Sequence, residues 1–428
     1  MTIAVINGPC WQRIRMRLAK QAGLSLVELM ISLVIGLVIL AALVAVFVNA
    51  SRGNRESATA ASVIENGRFA IELLENDIVH AGYWGTYVPD FDDPTRDDDT
   101  PTTTPFDVPD PCADFDPAVW TADNPYVEQL IGMPVQSFGG STTVCSGVID
   151  HATRVPGTDV LVVRHAARCT PGEDGECASD EDDVAPNKSM VYIQSTLCEN
   201  ELIAAPPHYA FGRTPASGRF DPPFTFRRRT CVETPAVPED WAEKRRFVSY
   251  IYWVRDFAAE VGDGIPTLVR SEFGLSPDGS LRHQEPVALV EGIDGMWVEL
   301  GIDRISITND LVRNGDPIAW EDVATRQRAE NRGDGVPDVF VRCDPECTGA
   351  PPATGSGDPT PVDDLSNVTA VKVYVVARSR ERTLGYVDAK TYTAGAAGLV
   401  GPFDPDFKRH LYSTTVRLPN VSGRRERP

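Results

Sequence analysis

Lys20-Gln21-Ala22-Gly23-Leu24-Ser25-Leu26-Val27-Glu28-Leu29-Met30 opens a run in which every residue from Leu29 to Val48 is uncharged. At about 1.5 Å of rise per residue, such a run is long enough to cross a bilayer as one helix. Arg13, Arg15, Arg17 and Lys20 precede it with no acid among the first 23 residues, and acidic sequence dominates far beyond it. The positive-inside rule therefore keeps the short basic segment cytoplasmic and exports the rest. A cleaved secretory signal is the other reading, but its apolar core would be shorter and would end in small residues. Val44-Ala45-Val46-Phe47-Val48-Asn49-Ala50 meets that pattern only when it is stretched. Glu28 stands at the edge of the run, where a carboxylate is expensive unless it meets a partner. The alternative is a side chain that snorkels to the cytoplasmic interface.

These residues resemble the type IV prepilin processing motif, in which a prepilin peptidase cuts after a Gly and a Glu stands fifth in the mature chain. The resemblance implies a leader over 1–23 ending at Gly23, a new and usually N-methylated terminus at Leu24, and Glu28 as the fifth residue. It also implies the partner of Glu28: the main-chain amine at the terminus of a neighbouring subunit. Leu24 stands where the family usually has Phe. The leader is long for the family, and Met16 offers an alternative start to Met1 that would leave only Met16–Gly23 as leader, without Cys10.

Beyond Val48 the sequence turns polar but keeps helical spacing. Ile64, Ile71, Leu74 and Ile78 follow at offsets of seven, three and four, which places them along one face. The spacing predicts a helix over 24–80, membrane-spanning at about 29–48. It should stop at Ala81-Gly82-Tyr83-Trp84-Gly85, where two glycines allow a sharp exit. Pro89 to about Pro125 is rich in Asp, Pro and Thr and reads as an irregular loop rather than a packed element. Strand signals follow at Asp159–Ala166, Met190–Gln194, Phe247–Val254, Thr267–Ser271, Met296–Ile302, Val368–Ala377 and Tyr412–Leu418. The period of two is clean at Val371, Val373 and Val375, with Lys372 and Tyr374 on the opposite face. Acidic or Pro-rich connections separate the strands, notably Thr170–Lys188, Ala204–Lys244 and Asp303–Leu365. The expected fold is α+β and type IV pilin-like: a long amino-terminal helix packed on an antiparallel β-sheet head, 81–428, with large loop insertions, as a single head and not two domains.

Several stretches resemble PilW-type minor pilins in particular. They are Phe69-Ala70-Ile71-Glu72-Leu73-Leu74 leading to the double-glycine exit, Thr158-Asp159-Val160-Leu161-Val162-Val163, and Tyr252-Trp253-Val254 before Leu268-Val269-Arg270. Leu289-Val290-Glu291-Gly292-Ile293-Asp294-Gly295-Met296, Asn367-Val368-Thr369-Ala370-Val371-Lys372-Val373 and Tyr412-Ser413-Thr414-Thr415-Val416-Arg417-Leu418 complete the pattern. The closing Leu418-Pro419-Asn420 departs from the usual Leu-Arg-Asn. The resemblance implies a structural protein that primes assembly of a type IV pilus and sits at its tip. Its implied partners are other minor pilins, the major pilin, a PilY-type tip adhesin and the prepilin peptidase. It would be anchored once in the inner membrane of a Gram-negative cell with a periplasmic head, and later displayed on the pilus. Two rival readings are a pseudopilin of a type II secretion system, normally much shorter, and a binding or enzymatic head on a pilin anchor.

At 428 residues and 42% hydrophobic content the chain can bury a sizeable core. Its net charge of −21 repels phosphate backbones, and Arg227-Arg228-Arg229 reads as a solvated loop or as acid-pairing residues rather than a nucleic-acid site. The motifs of zinc proteases, serine hydrolases and phosphate-binding loops do not occur, so the chain is not expected to be an enzyme. His165 reads as a packing or surface residue. Eight cysteines run from Cys112 to Cys347, an even set suited to disulfides in an oxidising compartment. Short separation favours Cys343–Cys347 and Cys169–Cys177 first, then Cys112–Cys145 and Cys198–Cys231. Cys343 and Cys347 lack further ligands nearby for zinc. Asn331-Arg332-Gly333-Asp334-Gly335-Val336-Pro337-Asp338 resembles a short calcium loop with Asn331, Asp334 and Asp338 as oxygen ligands. Arg332 occupies a ligand's place, and a plain Gly turn is the other reading. No other cofactor is expected. Replacing Gly23 with a bulky residue should leave the precursor uncut, and terminal sequencing that still finds Leu24 first would refute the processing assignment.

Overall fold

Helix α1 runs from Leu26 to Ile78 in a computed structural model that describes residues 25–92, 101, 104–171, 190–214, 221–236, 240–326, 329–344, 347, 360–383 and 385–425. Two compact units divide the chain within this helix, Met1–Ala58 and Thr59–Pro428. In the first unit the apolar side chains from Leu26 to Phe47 are exposed on every side of the helix. In the second unit the helix buries Val63, Gly67, Ala70, Leu74 and Ile78, a stripe at offsets of four, three, four and four.

That stripe differs from the expected one at its start: Ile64 is 51% exposed and Ile71 only partly buried. Small residues take the central places instead. A Cβ at Gly67 would fall inside the Tyr412 ring, whose hydroxyl donates to the Val63 carbonyl at 3.4 Å. The helix ends as the double-glycine exit predicts. Gly82 has φ +73°, a left-handed conformation that other residues adopt at a cost, and its N–H donates to the Arg164 carbonyl at 3.1 Å.

Two antiparallel sheets and a ribbon make up the described head, as the expected α+β class requires. The first contains β1 (Val135–Phe138), β2 (Val160–Ala166), β3 (Val191–Ser195), β4 (Tyr209–Arg213), β5 (Lys244–Arg255), β6 (Thr267–Leu275), β7 (Leu281–His283) and β8 (Val287–Glu291). Strand β5 is its hub. Its first residues pair β3, while the remainder runs between β2 and β6. The second sheet contains β9 (Ile293–Ile302), β10 (Val339–Val341) and β11 (Val368–Arg378); after a ribbon of β12 (Tyr392–Thr393) and β13 (Leu399–Val400), β14 (Arg409–Arg417) completes the order β10-β9-β11-β14. Strands β4 and β10 lie inside stretches read as loop connections, because they are short and set among Gly, Pro and acids. Four further helices are short: α2 (Pro125–Gly132), α3 (Glu199–Leu202), α4 (Pro361–Ser366) and α5 (Pro419–Arg425).

Both sheets contribute to one core beneath α1. Leu161, Val163, Tyr252 and Val254 from the first sheet join Met296, Val298, Leu300, Val371, Val373 and Val375 from the second around Ala70, Leu74 and Ile78. The alternation on β11 sends Tyr374 and Val376 to the other face, where they pack with Trp297 and the ribbon. The described part of Pro89–Pro125 is irregular but not unpacked. Trp120 is buried and stacks on Phe273 with ring centroids 5.0 Å apart, filling a second, aromatic cluster with Trp84, Phe211 and Phe247.

Replacing Gly67 with Leu tests the close approach by the sign of its effect. Helix propensity alone would stabilise by roughly 0.8 kcal/mol, whereas overpacking against Tyr412 costs about 1–3 kcal/mol. The urea midpoint of the full chain in detergent should fall; a rise would show that Tyr412 swings aside freely.

Candidate functional site

Two places carry the candidate chemistry: the start of α1, and the contacts that seat its second half on the head. Gly23 and Leu24 lie outside the described residues. The backbone N–H of Ser25 donates to Glu28 Oε2 at 3.1 Å, so Ser25-Leu26-Val27-Glu28 makes one bond of a capping box. Sequence reasoning passed over that Ser-x-x-Glu signal because the processing motif already accounted for Glu28. Glu28 is the sole charged residue between Ser25 and Ser51. It therefore has two roles open to it, holding its own helix start or receiving a cation from elsewhere.

The far end of the helix is tied down by polar contacts. Asp77 Oδ2 accepts from the Tyr252 hydroxyl on β5 and, at 3.5 Å, from Arg270 on β6. Burial, together with the Asp77 charge, raises the Tyr252 hydroxyl pKa well above its usual value, so the phenol remains a donor. Asn66 Nδ2 donates to the Glu291 carbonyl at 3.0 Å. Asn420 Nδ2 reaches the Val79 and Ala81 carbonyls at 3.3 and 3.2 Å, groups that a helix end leaves without intrahelical partners. The departure from the usual Leu-Arg-Asn is thus confined to Pro419, which starts α5, where a missing N–H is harmless.

Helix α5 closes the structure with a charge cluster. Arg424 and Arg425 meet Asp92 at 3.2 and 2.8 Å, and Arg425 also meets Asp303 at 3.4 Å. Asp303 is fully buried. Burial pushes its carboxyl up to about 6, against the Arg425 charge and a hydrogen bond from the Gly335 N–H at 2.8 Å. Elsewhere Asp159, at the start of β2, receives both arms of Arg342 at 2.6 and 3.0 Å and the Val298 N–H of β9 at 3.0 Å. One carboxylate therefore fastens the first sheet to the second.

The three calcium candidates do not share one centre of hydrogen bonding. Asn331 Oδ1 accepts from the Ala319 N–H at 3.0 Å, Asp334 Oδ1 from the Val336 N–H at 2.9 Å, and Asp338 Oδ2 from the Arg304 and Ile305 N–H groups, each at 2.8 Å. Arg332 is buried and donates to the Asp316 carbonyl at 2.9 Å. Among the described residues, the one group of ligand-type side chains close enough to hold a metal is Asp110, Cys112 and Cys145, and its two sulfurs form a disulfide. The structure joins Cys112 to Cys145, Cys198 to Cys231 and Cys343 to Cys347. Cys169 is also disulfide-bonded, while Cys177 lies outside the described residues. His165 is buried with Nδ1 2.8 Å from the Ala166 carbonyl, and burial lowers its pKa. Arg227 pairs with Glu201 at 2.6 Å.

Residues 251–420 match the family described as Type IV Pilus-assembly protein W, PilW, and residues 18–44 match the prokaryotic N-terminal methylation motif. The first match takes in the Tyr252 and Arg270 partners of Asp77, the whole second sheet and Asn420. The second takes in Gly23, Leu24 and Glu28. No curated protein and no solved structure matches the chain.

Because the folded Asp303 carboxyl binds its proton more tightly than the unfolded one, near 3.9, its contribution to stability falls as pH rises from about 4 to about 6. Asp303→Asn keeps an oxygen for the Gly335 N–H and should gain stability relative to wild type across that window, levelling above it. Denaturant unfolding of both proteins at each pH checks this, and a difference flat in pH would refute the raised carboxyl.

Proposed function

We propose that this chain, a member of the PilW family of type IV pilins, is a minor pilin that primes assembly of the pilus and stays at its tip. The observation that carries the reading is the helix stretch from Leu26 to Phe47, exposed all round and charged only at Glu28. A helix apolar on every side suits lipid or a bundle of like helices and not a surface facing water. Such a segment holds the chain in a membrane before assembly and among other pilin helices afterwards. On this reading the prepilin peptidase cuts after Gly23, and the head, on the periplasmic side of the inner membrane, joins other minor pilins beneath a tip adhesin.

Glu28 supplies the register. Inside a bundle an unpaired carboxylate costs several kcal/mol, and the terminal amine of a neighbouring mature chain offsets that cost at one axial position only. Glu28→Ala should spare cleavage and membrane insertion while reducing pilus number and co-purification of other minor pilins at equal protein level. Glu28→Gln separates charge from capping, because its amide oxygen can still accept the Ser25 N–H. If Glu28→Gln assembles like wild type, the carboxylate acts as a helix cap and the charge-pairing role is wrong.

A further inference from the structure

Strand β14 is the edge of the second sheet, and among the described residues no backbone group from His410 to Val416 bonds to any element other than β11. In an antiparallel pair alternate residues turn their N–H and C=O away from the partner, so a row of donors and acceptors faces outward. Natural sheets blunt such edges with prolines, bulges, charges, short length or cover. β14 has none of these over its middle. It pairs β11 for nine consecutive residues without a register shift, and Leu411-Tyr412-Ser413-Thr414-Thr415-Val416 carries neither charge nor proline. Other edges of the head are managed: β1 is four residues and fully buried, β4 is buried except at Arg213, β10 is three residues, and the Glu291 carbonyl of β8 is taken by Asn66.

From this we infer that the outer edge of β14 accepts an extended strand from another pilus subunit, one with acidic residues at its ends. Main-chain bonds would supply the affinity and the exposed Ser413 and Thr415 side chains the fit. The charges select the occupant. Lys408 precedes the strand and Arg417 ends it, Arg68 follows the Gly67 that packs on Tyr412, and the nearby Asp404 and Asp406 are occupied by Arg382 at 3.1 and 2.8 Å. A second copy is disfavoured, because antiparallel self-pairing centred on Ser413 brings the Lys408 end of one strand beside the Arg417 end of the other, and like charges so placed repel.

The inference rests on the assembly reading above, and one preparation separates their failures. Full-length chain is purified in detergent from cells making the pilus, alone and with the subunits it retains, and amide exchange is followed over 410–416. Alternate amides should exchange freely in the isolated chain and at least tenfold slower in the complex. Of Ser413 and Thr414, the faster-exchanging one is then replaced by Pro, which leaves the β11 ladder intact and removes an outward donor. Retention should drop at least tenfold with an unchanged melting temperature, and wild-type retention should weaken as salt rises. Retained subunits with 410–416 still exchanging freely overturn this inference alone, whether or not the Pro variant folds. Retention insensitive to salt overturns the acidic-ended partner. Protection that grows with the concentration of the isolated chain identifies a second copy and overturns it too. Absence of pilus subunits from the wild-type preparation overturns the assembly reading and this inference together.

Discussion

Asp77 sits near the end of a long helix with its carboxylate turned toward the head, where Tyr252 and Arg270 both donate to it. Such a group is costly to desolvate unless its oxygens are occupied, and the two partners come from adjacent strands β5 and β6. The contact therefore works only when that pair is in register beneath the last turns of α1. The stripe of Gly67, Ala70, Leu74 and Ile78 lets the backbone come close enough for the arrangement to form. Strands from both sheets then complete a core that neither could close alone. Remove the close approach and the carboxylate loses its seat, while Ala70, Leu74 and Ile78 no longer fill the core that both sheets line.

Charge inside the head performs a related task. Asp159 with Arg342, Asp294 with Arg409 and Arg378, and Asp92 with Arg424 and Arg425 each join segments far apart in sequence. Buried ion pairs of this kind add little net stability, because desolvation offsets most of the attraction, but a single broken partner costs about 3–5 kcal/mol. Their effect is to penalise wrong docking of the long insertions more than to reward the right one. Arg164 shows the same economy without a carboxylate in contact. It is fully buried, donates to the Met133 carbonyl at 3.0 Å and to Gln136, and burial lowers its pKa to about 10.

Much of this was legible in the sequence where periodicity is strong. The valines of β11, the apolar runs of β2 and β5 and the double-glycine exit were read at nearly their observed places, since each signal is local. The helix face was misjudged at Ile64, because apolar spacing cannot reveal that Gly67 and Ala70 mark the contact by being small. Strands β4 and β10 escaped because three to five residues among glycines and prolines carry too few alternations to stand out. The irregular acidic loop concealed Asp92, whose importance depends on Arg424 and Arg425 more than 330 positions away. The capping bond at Glu28 was visible in principle and was masked by a stronger motif that uses the same residue.

Local sequence rules and tertiary structure agree over most of the head, and the places where they fail to close are informative. An isolated soluble protein would not leave an apolar helix uncovered on every side, nor a nine-residue strand edge with an uncharged middle. In the proposed assembly each is a surface whose bonding other chains or lipid complete, and the two ask for different things. The helix asks for apolar contact and one cation near Glu28; β14 asks for main-chain donors and acceptors in a fixed register. A partner satisfying the helix alone is held in a bundle at the axial position that Glu28 sets, with freedom to rotate. One satisfying the strand as well is fixed in orientation, because a one-residue slip would reverse which side chains face the sheet. On the proposed reading the helix determines membership of the assembly, and the strand edge determines which neighbour the head accepts.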